Sequence, residues 1–187
     1  MASPVGHTLI GLSLFLWRSA KPGPVAPIHR RLLTPQAAVF VLLANLPDMD
    51  FLISWLMTGD PNRHHSGWTH SLAFAIIAAV VAASFWRIEP GYWKSVLIGL
   101  AAVGSHSVVD FFTGPVLGFS PSYGVPWLAP FTLERFRSPV SLFVGPRHQG
   151  LGQIFSLHNW AWAAAEAMVL TPVVWLLLVR QKRKGTD

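Results

Sequence analysis

His106 and Asp110 stand four residues apart in Gly104-Ser105-His106-Ser107-Val108-Val109-Asp110, just after the apolar run Val96–Val103. On a helix that spacing stacks an imidazole and a carboxylate on one face, one turn apart. Together they can grip a single divalent cation. Neither group is stable in an apolar helix without a partner, because unpaired burial costs several kcal/mol. The motif therefore demands a counterpart elsewhere in the chain.

Candidates for that counterpart recur along the sequence. His7 opens the first apolar run, Asp48 and Asp50 follow Pro47, and His65 and His70 precede the third run. With His106 and Asp110 they form a set of His and Asp residues suited to zinc or a similar divalent ion, as one ion or two. Asp48, or Glu166 in the last apolar run, could take a proton from a metal-activated water. Each residue also has a plainer reading. His7 can be a hydrogen-bonded core residue, Asp48 and Asp50 can cap a helix, and His64 can be simply loop. Arg135 and Arg137 could bind an anionic head group, or pair with Glu134.

Positioning these groups falls to five apolar runs: Val5 to about Trp17, Gln36–Leu56 broken by Pro47, Ser71–Trp86, the run ending in the His106 motif, and Trp160–Val179. The last, as a helix of 20 residues, is about 30 Å long and enough to span a bilayer. Residues 113–158 are rich in Gly and Pro, have no helical period, and read as a long irregular loop. The expectation is an all-α, multi-pass membrane bundle of four to five helices in a single domain, residues 1–187. Residues 180–187 would be a basic cytoplasmic tail.

Composition agrees. Hydrophobic residues make up 52% and charged residues 12% of the 187, about half the charged share of a soluble domain. The absence of cysteine excludes disulfides, thiolate zinc sites and cysteine nucleophiles. The net charge of +6 does not point to nucleic acid. Of the 14 Lys and Arg residues, 10 lie in segments 18–34, 87–94 and 180–187. If all five runs cross, these segments share one side, which the positive-inside rule makes cytoplasmic. The candidate ligands fall at the opposite helix ends, on the extracytoplasmic side. The partners expected are membrane lipids, with the nine Trp residues as interfacial anchors.

Three stretches carry a resemblance: Asn45-Leu46-Pro47-Asp48-Met49-Asp50, His65-Ser66-Gly67-Trp68-Thr69-His70-Ser71, and Ser105–Asp110 with Thr113. With His7, Glu134-Arg135-Phe136 and Glu166, the sequence resembles the membrane-bound metal-dependent hydrolase family, the YdjM- and YbcI-like inner-membrane proteins. The resemblance implies a multi-pass helical membrane protein and a metal-dependent hydrolase, with Asp48, Asp50, His65, His70, His106 and Asp110 holding the metal. Members usually carry Arg directly after the first His of the second stretch, where this chain has Ser66; Arg63 stands nearby to substitute, as an anion-binding residue.

The function these readings favour is hydrolysis of a phosphoester or lipid-like ester at the outer membrane interface by metal-activated water. The alternatives are a non-catalytic membrane protein with a structural or regulatory metal, and an ion transporter that uses intramembrane Asp, His and Glu.

Overall fold

The computed structural model describes residues 2–19, 32–86, 88–148 and 151–183. Within them the chain is mostly helical. Helix α1 spans Pro4–Arg18 and α2 spans Pro35–Asn45; a 3-10 turn, Leu46–Asp48, leads into α3, Met49–Thr58. A second 3-10 turn, Trp68–His70, precedes α4, Leu72–Phe85, and then α5, Tyr92–Phe111. After the irregular stretch come the short α6, Leu151–Ile154, and the long α7, Leu157–Arg183.

The helix starts are written locally. Ser3, Thr34 and Ser71 each accept a hydrogen bond from the backbone N–H three residues on, with Pro4 and Pro35 at the first helical positions. Gly59, left-handed at φ 73°, ends α3. Pro47 splits the second apolar run as its chemistry requires, because proline cannot donate to a helical carbonyl.

Small residues let the helices approach closely. A side chain at Gly11 would meet the Phe40 carbonyl at 2.8 Å, so α1 and α2 touch backbone to backbone. Gly99 lies on Ala79 where α5 crosses α4, on a stripe formed by Ala75, Ala78, Ala79 and Ala83. This is the contact style of helices in lipid, where apolar surface alone does not drive association. The core gathers Phe15, Leu16, Phe40, Leu43, Val103 and Leu178 from α1, α2, α5 and α7.

Two helical segments are long and apolar enough to cross a membrane: Pro35–Thr58, 24 residues including the turn, and Leu157–Gln181, 25 residues; Leu72–Phe85 is shorter. Large apolar side chains stay exposed on them, among them Leu42, Leu56, Met57, Met168, Val169 and Leu176. A soluble domain seldom exposes so continuous an apolar surface.

Residues 113–148 are irregular but pinned. Thr113–Gly114 pairs in parallel with Phe143–Val144, and antiparallel bridges join Gly118 to Ser141 and Val125 to Phe136. Trp127 accepts from the Leu72 N–H, which fastens the stretch over the start of α4. The expected boundaries shift at the last helix: α7 begins at Leu157 and runs through Arg183, so residues 180–183 are helix rather than loose tail. Lys21, Arg30, Arg31, Arg87 and Lys184, half of the expected basic side, lie outside the described residues.

Candidate metal centre

Six chain segments deliver the candidate ligands to one end of the bundle. The first turn of α1 supplies His7, and the 3-10 turn at Pro47 supplies Asp48. Asp50 begins α3, His70 closes the second 3-10 turn, and His106 and Asp110 sit in the last turns of α5. His65 comes from the loop between α3 and α4. All seven residues predicted as ligands are brought together, in three overlapping groups: His7, Asp48 and His106; His70, His106 and Asp110; and Asp48, Asp50 and His65. In each, one donor atom per residue lies within 4.8 Å of the others.

Tracing the hydrogen atoms explains what this arrangement can hold. Pro47 has no N–H for the carbonyl three residues back, and that carbonyl, Ala44 O, lies 2.8 Å from His106 Nδ1. A carbonyl only accepts, so His106 Nδ1 carries the proton and a neutral ring leaves Nε2 bare. On the other side the Thr69 hydroxyl donates to Asp50 Oδ2 at 2.5 Å, and its oxygen lies 3.0 Å from His70 Nδ1. The single hydroxyl proton is committed to Asp50, so His70 Nδ1 is the donor and its Nε2 is bare too. These two Nε2 atoms face each other at 3.1 Å. Asp48 Oδ1 is 3.2 Å from one and 3.5 Å from the other, and Asp110 Oδ2 is 3.5 and 3.4 Å away. Four acceptor atoms thus converge without a proton between them. Such a cage is stable around a cation, or with an imidazole protonated.

The neighbouring atoms repeat the signal. Asp48 Oδ1, Asp110 Oδ2, His65 Nε2 and both ring nitrogens of His7 are buried without a hydrogen-bond partner among the described residues. His7 stacks on His106 with ring centroids 3.7 Å apart, and its Nε2 is 3.4 Å from Asp110 Oδ1. Buried polar atoms are almost always satisfied, so orphans clustered in one place fit residues that could hold a cation.

The rim differs from this centre. Asp50 Oδ1 accepts from His65 Nδ1 at 2.6 Å, and Oδ2 from Ser66 N–H at 3.0 Å and from Thr69. Asp50 therefore orients His65 and aims its free Nε2 away, the usual part of a carboxylate behind a metal-binding imidazole. The His70, His106 and Asp110 side chains are 0 to 2% exposed, whereas Asp48 is 17% exposed. His65 and Asp48 line an apolar cavity of about 360 Å³, and His65 also lines a polar one of about 670 Å³.

The remaining predicted residues fall elsewhere. Glu166, expected as a possible base, is in none of the three ligand groups. Its carboxylate accepts from the Ser3 N–H at 3.1 and 3.2 Å and from the Ser3 hydroxyl, while the Ala2 N–H donates to Asp110 Oδ1 at 2.8 Å. Glu166 thus anchors the start of α1, and a side chain at Gly6 would strike it at 2.5 Å. Arg63 and Arg137 are exposed and line neither cavity. Arg135 lines the polar one and donates to the carbonyls of Gly124 at 2.8 Å and Ser66 at 2.7 Å. It brings a guanidinium beside the backbone of Ser66, the residue that stands where the resemblance expects arginine.

Sequence reading missed Thr69, the Ala44 carbonyl, Arg147 and His148. Arg147 and His148 line both cavities. Burial, with the His65 imidazole second, pushes the His148 pKa down to about 4, so it is neutral at pH 7. His148 Nδ1 meets Asn62 Oδ1, whose amide donates back to the His148 carbonyl at 2.7 Å. The signal that could have found them is Gly145-Pro146-Arg147-His148, a basic pair inside the long irregular stretch.

Comparison with known proteins agrees with the membrane character. The family described as YdjM inner membrane protein matches residues 1–184. Inner membrane protein YbcI of Escherichia coli (strain K12) is 28% identical over 142 residues, 74% of this chain and 74% of that one. No solved structure matches.

Proposed function

The chain belongs to the YdjM inner membrane protein family, and from that premise we propose that it is a membrane-embedded, metal-dependent hydrolase of phosphoesters or lipid-like esters. The observation that carries this reading is the cage of unprotonated acceptors formed by His70 Nε2, His106 Nε2, Asp48 Oδ1 and Asp110 Oδ2. An all-nitrogen-and-oxygen set of this kind suits zinc among several divalent ions.

His70, His106, Asp110 and His7 would hold the ion, with Asp48 shared toward the cavity side. A divalent ion there supplies Lewis acidity, lowering the pKa of a water toward neutrality and steadying charge on a phosphoryl oxygen. Ala44, Thr69 and Asp50 fix the imidazole tautomers. Asp48, with a second oxygen and partial exposure, takes the proton from water as its oxygen bonds to phosphorus. The phosphorus–oxygen bond to the alcohol breaks, and the leaving oxygen takes up that proton from Asp48 through solvent, which restores the carboxylate. The products are the phosphate and the free alcohol.

The topology proposed is multi-pass, with the C-terminus cytoplasmic and the site at the extracytoplasmic interface. Arg18 pairs with Glu89 at the helix ends opposite the site, which supports a basic side and a site side.

The test is metal content of detergent-purified protein. One or two bound ions per chain in the wild type, lost in His106→Ala together with hydrolysis of a chromogenic phosphoester, is the expected result. Folded wild type without metal overturns the reading. A second reading, a structural metal, draws on the complete burial of His70, His106 and Asp110, since structural sites are closed. It gains if the ion is bound, its removal unfolds the protein, and no ester is cleaved.

A further inference from the structure

The two cavities share four lining residues, His65, Pro146, Arg147 and His148, so they meet at one boundary. Their linings differ. The more polar cavity is lined by Asn62, Tyr123, Arg135, Arg147 and His158 among others, with two arginines and, among the described residues, no carboxylate. The apolar cavity is walled by Val5, Phe51, Ile154, Phe155, Trp160 and Ala163, with Asp48 at its polar edge. Both volumes are in the range of small-molecule sites.

At the boundary lies His65, whose side chain is 3% exposed and whose Nε2 has no hydrogen-bond partner among the described residues. This nitrogen stands where the arginine-lined cavity meets the apolar one. Phe155 and Trp160 stay 74% and 61% exposed, and Trp160 belongs to a candidate span. The wall that Phe155 and Trp160 give the apolar cavity is therefore partly exposed at the start of α7.

We propose that the site takes an anionic amphiphile. Its phosphoester group lies in the polar cavity beside Arg147 and Arg135, and one hydrocarbon chain lies in the apolar cavity between the starts of α1 and α7. This rests on the hydrolase reading above and narrows it to lipid substrates. A water-soluble phosphoester satisfies the arginines but leaves the apolar walls unused. An uncharged lipid fills the walls and leaves the guanidinium groups, which carry charge at any physiological pH, without an anion.

Binding tests the idea independently of turnover. Immobilised full-length protein in an uncharged maltoside detergent is given radiolabelled palmitoyl lysophosphatidate, glycerol 3-phosphate or monopalmitoylglycerol. The lysophosphatidate binds at least about tenfold tighter than either of the others, a ratio well above assay error. Arg147→Ala and Ala163→Phe each weaken it by about tenfold, while metal content stays at the wild-type level. Equal retention of glycerol 3-phosphate reduces the site to a head-group pocket and overturns the proposal. Equal retention of monopalmitoylglycerol reduces the apolar cavity to general lipid adsorption and does the same. Should Ala163→Phe fail to fold, Val5→Phe narrows the same cavity from its other wall. Wild type without metal but with these binding ratios removes the hydrolase reading and leaves the amphiphile site standing; metal without the ratios does the reverse.

Discussion

Thr69 has one hydroxyl proton, and where it goes decides the state of two other residues. Donated to Asp50, it leaves the Thr69 oxygen to accept from His70 and so bares the His70 Nε2. Thr69→Val removes both contacts at nearly constant volume and leaves His70 free to take the wrong tautomer. Metal affinity, read by competition with a chelating dye, falls about 10- to 100-fold, the usual cost of losing an outer-shell partner. Thr69→Ser recovers most of it. A metal affinity unchanged in Thr69→Val contradicts the tautomer assignment. At this scale the sequence was legible where spacing carried information: His106 and Asp110 announce themselves by their interval and apolar setting. Thr69 and the Ala44 carbonyl do not, because a lone hydroxyl and a backbone oxygen leave no pattern. Glu166 was found by the right rule, an apolar helix refusing an unpaired carboxylate, but its partner is the Ser3 backbone rather than the ligand groups. The rule identifies need and does not say who answers it.

Two glycines separate the demands on the helices. A Cβ added at Gly11 would meet the Phe40 carbonyl at 2.8 Å and the Ala44 methyl at 3.0 Å, whereas one added at Gly99 would meet Ala79 at 3.4 Å, an ordinary contact. Gly11→Ala must part α1 from α2 and costs about 1–3 kcal/mol. Gly99→Ala gains helix propensity worth up to about 1 kcal/mol and stays near wild type. Thermal unfolding in detergent distinguishes them, and an equal loss in both variants refutes this packing. Ala44 also neighbours the carbonyl that orients His106, so Gly11→Ala should lower metal retention as well. Helix positions were readable from apolar runs and caps, and the break at Pro47 from proline alone. The anchoring of residues 113–148 was not readable, because its hydrogen bonds join distant residues such as Leu72 and Trp127 without periodicity. Nor was the helical state of residues 180–183, where a run of basic side chains resembles a solvated tail.

The whole molecule has two unlike ends. Arg18, Glu89 and the exposed Trp17, Trp86 and Trp93 gather at one; the His and Asp groups, with exposed Trp68 and Trp160, lie at the other. The absence of cysteine makes the orientation directly measurable by single substitutions. Phe119→Cys, at a side chain 99% exposed near the site end, reacts with a membrane-impermeant maleimide in intact cells. Lys94→Cys, at the start of α5, reacts only after lysis. The opposite labelling pattern inverts the proposed topology and puts the metal centre on the cytoplasmic side. Membrane character was legible in composition and the family in the motifs, whereas of the four to five expected membrane helices two are long and apolar enough to span among the described residues. The sidedness depends on basic residues of which half lie outside the described segments.

The grip of Glu166 on Ser3 also has a consequence in time. Ser3 and Glu166 are separated by 163 positions in the chain, and a ribosome makes the second long after the first. Asp48, His70, His106 and Asp110 can meet while synthesis continues, and α1 can already pack on α2, but the start of α1 that carries His7 gains its Glu166 anchor only when α7 arrives. Complete assembly of the candidate metal centre is therefore a late event, and under the proposed function an ion held with full affinity would report that the last helix has been made and has docked.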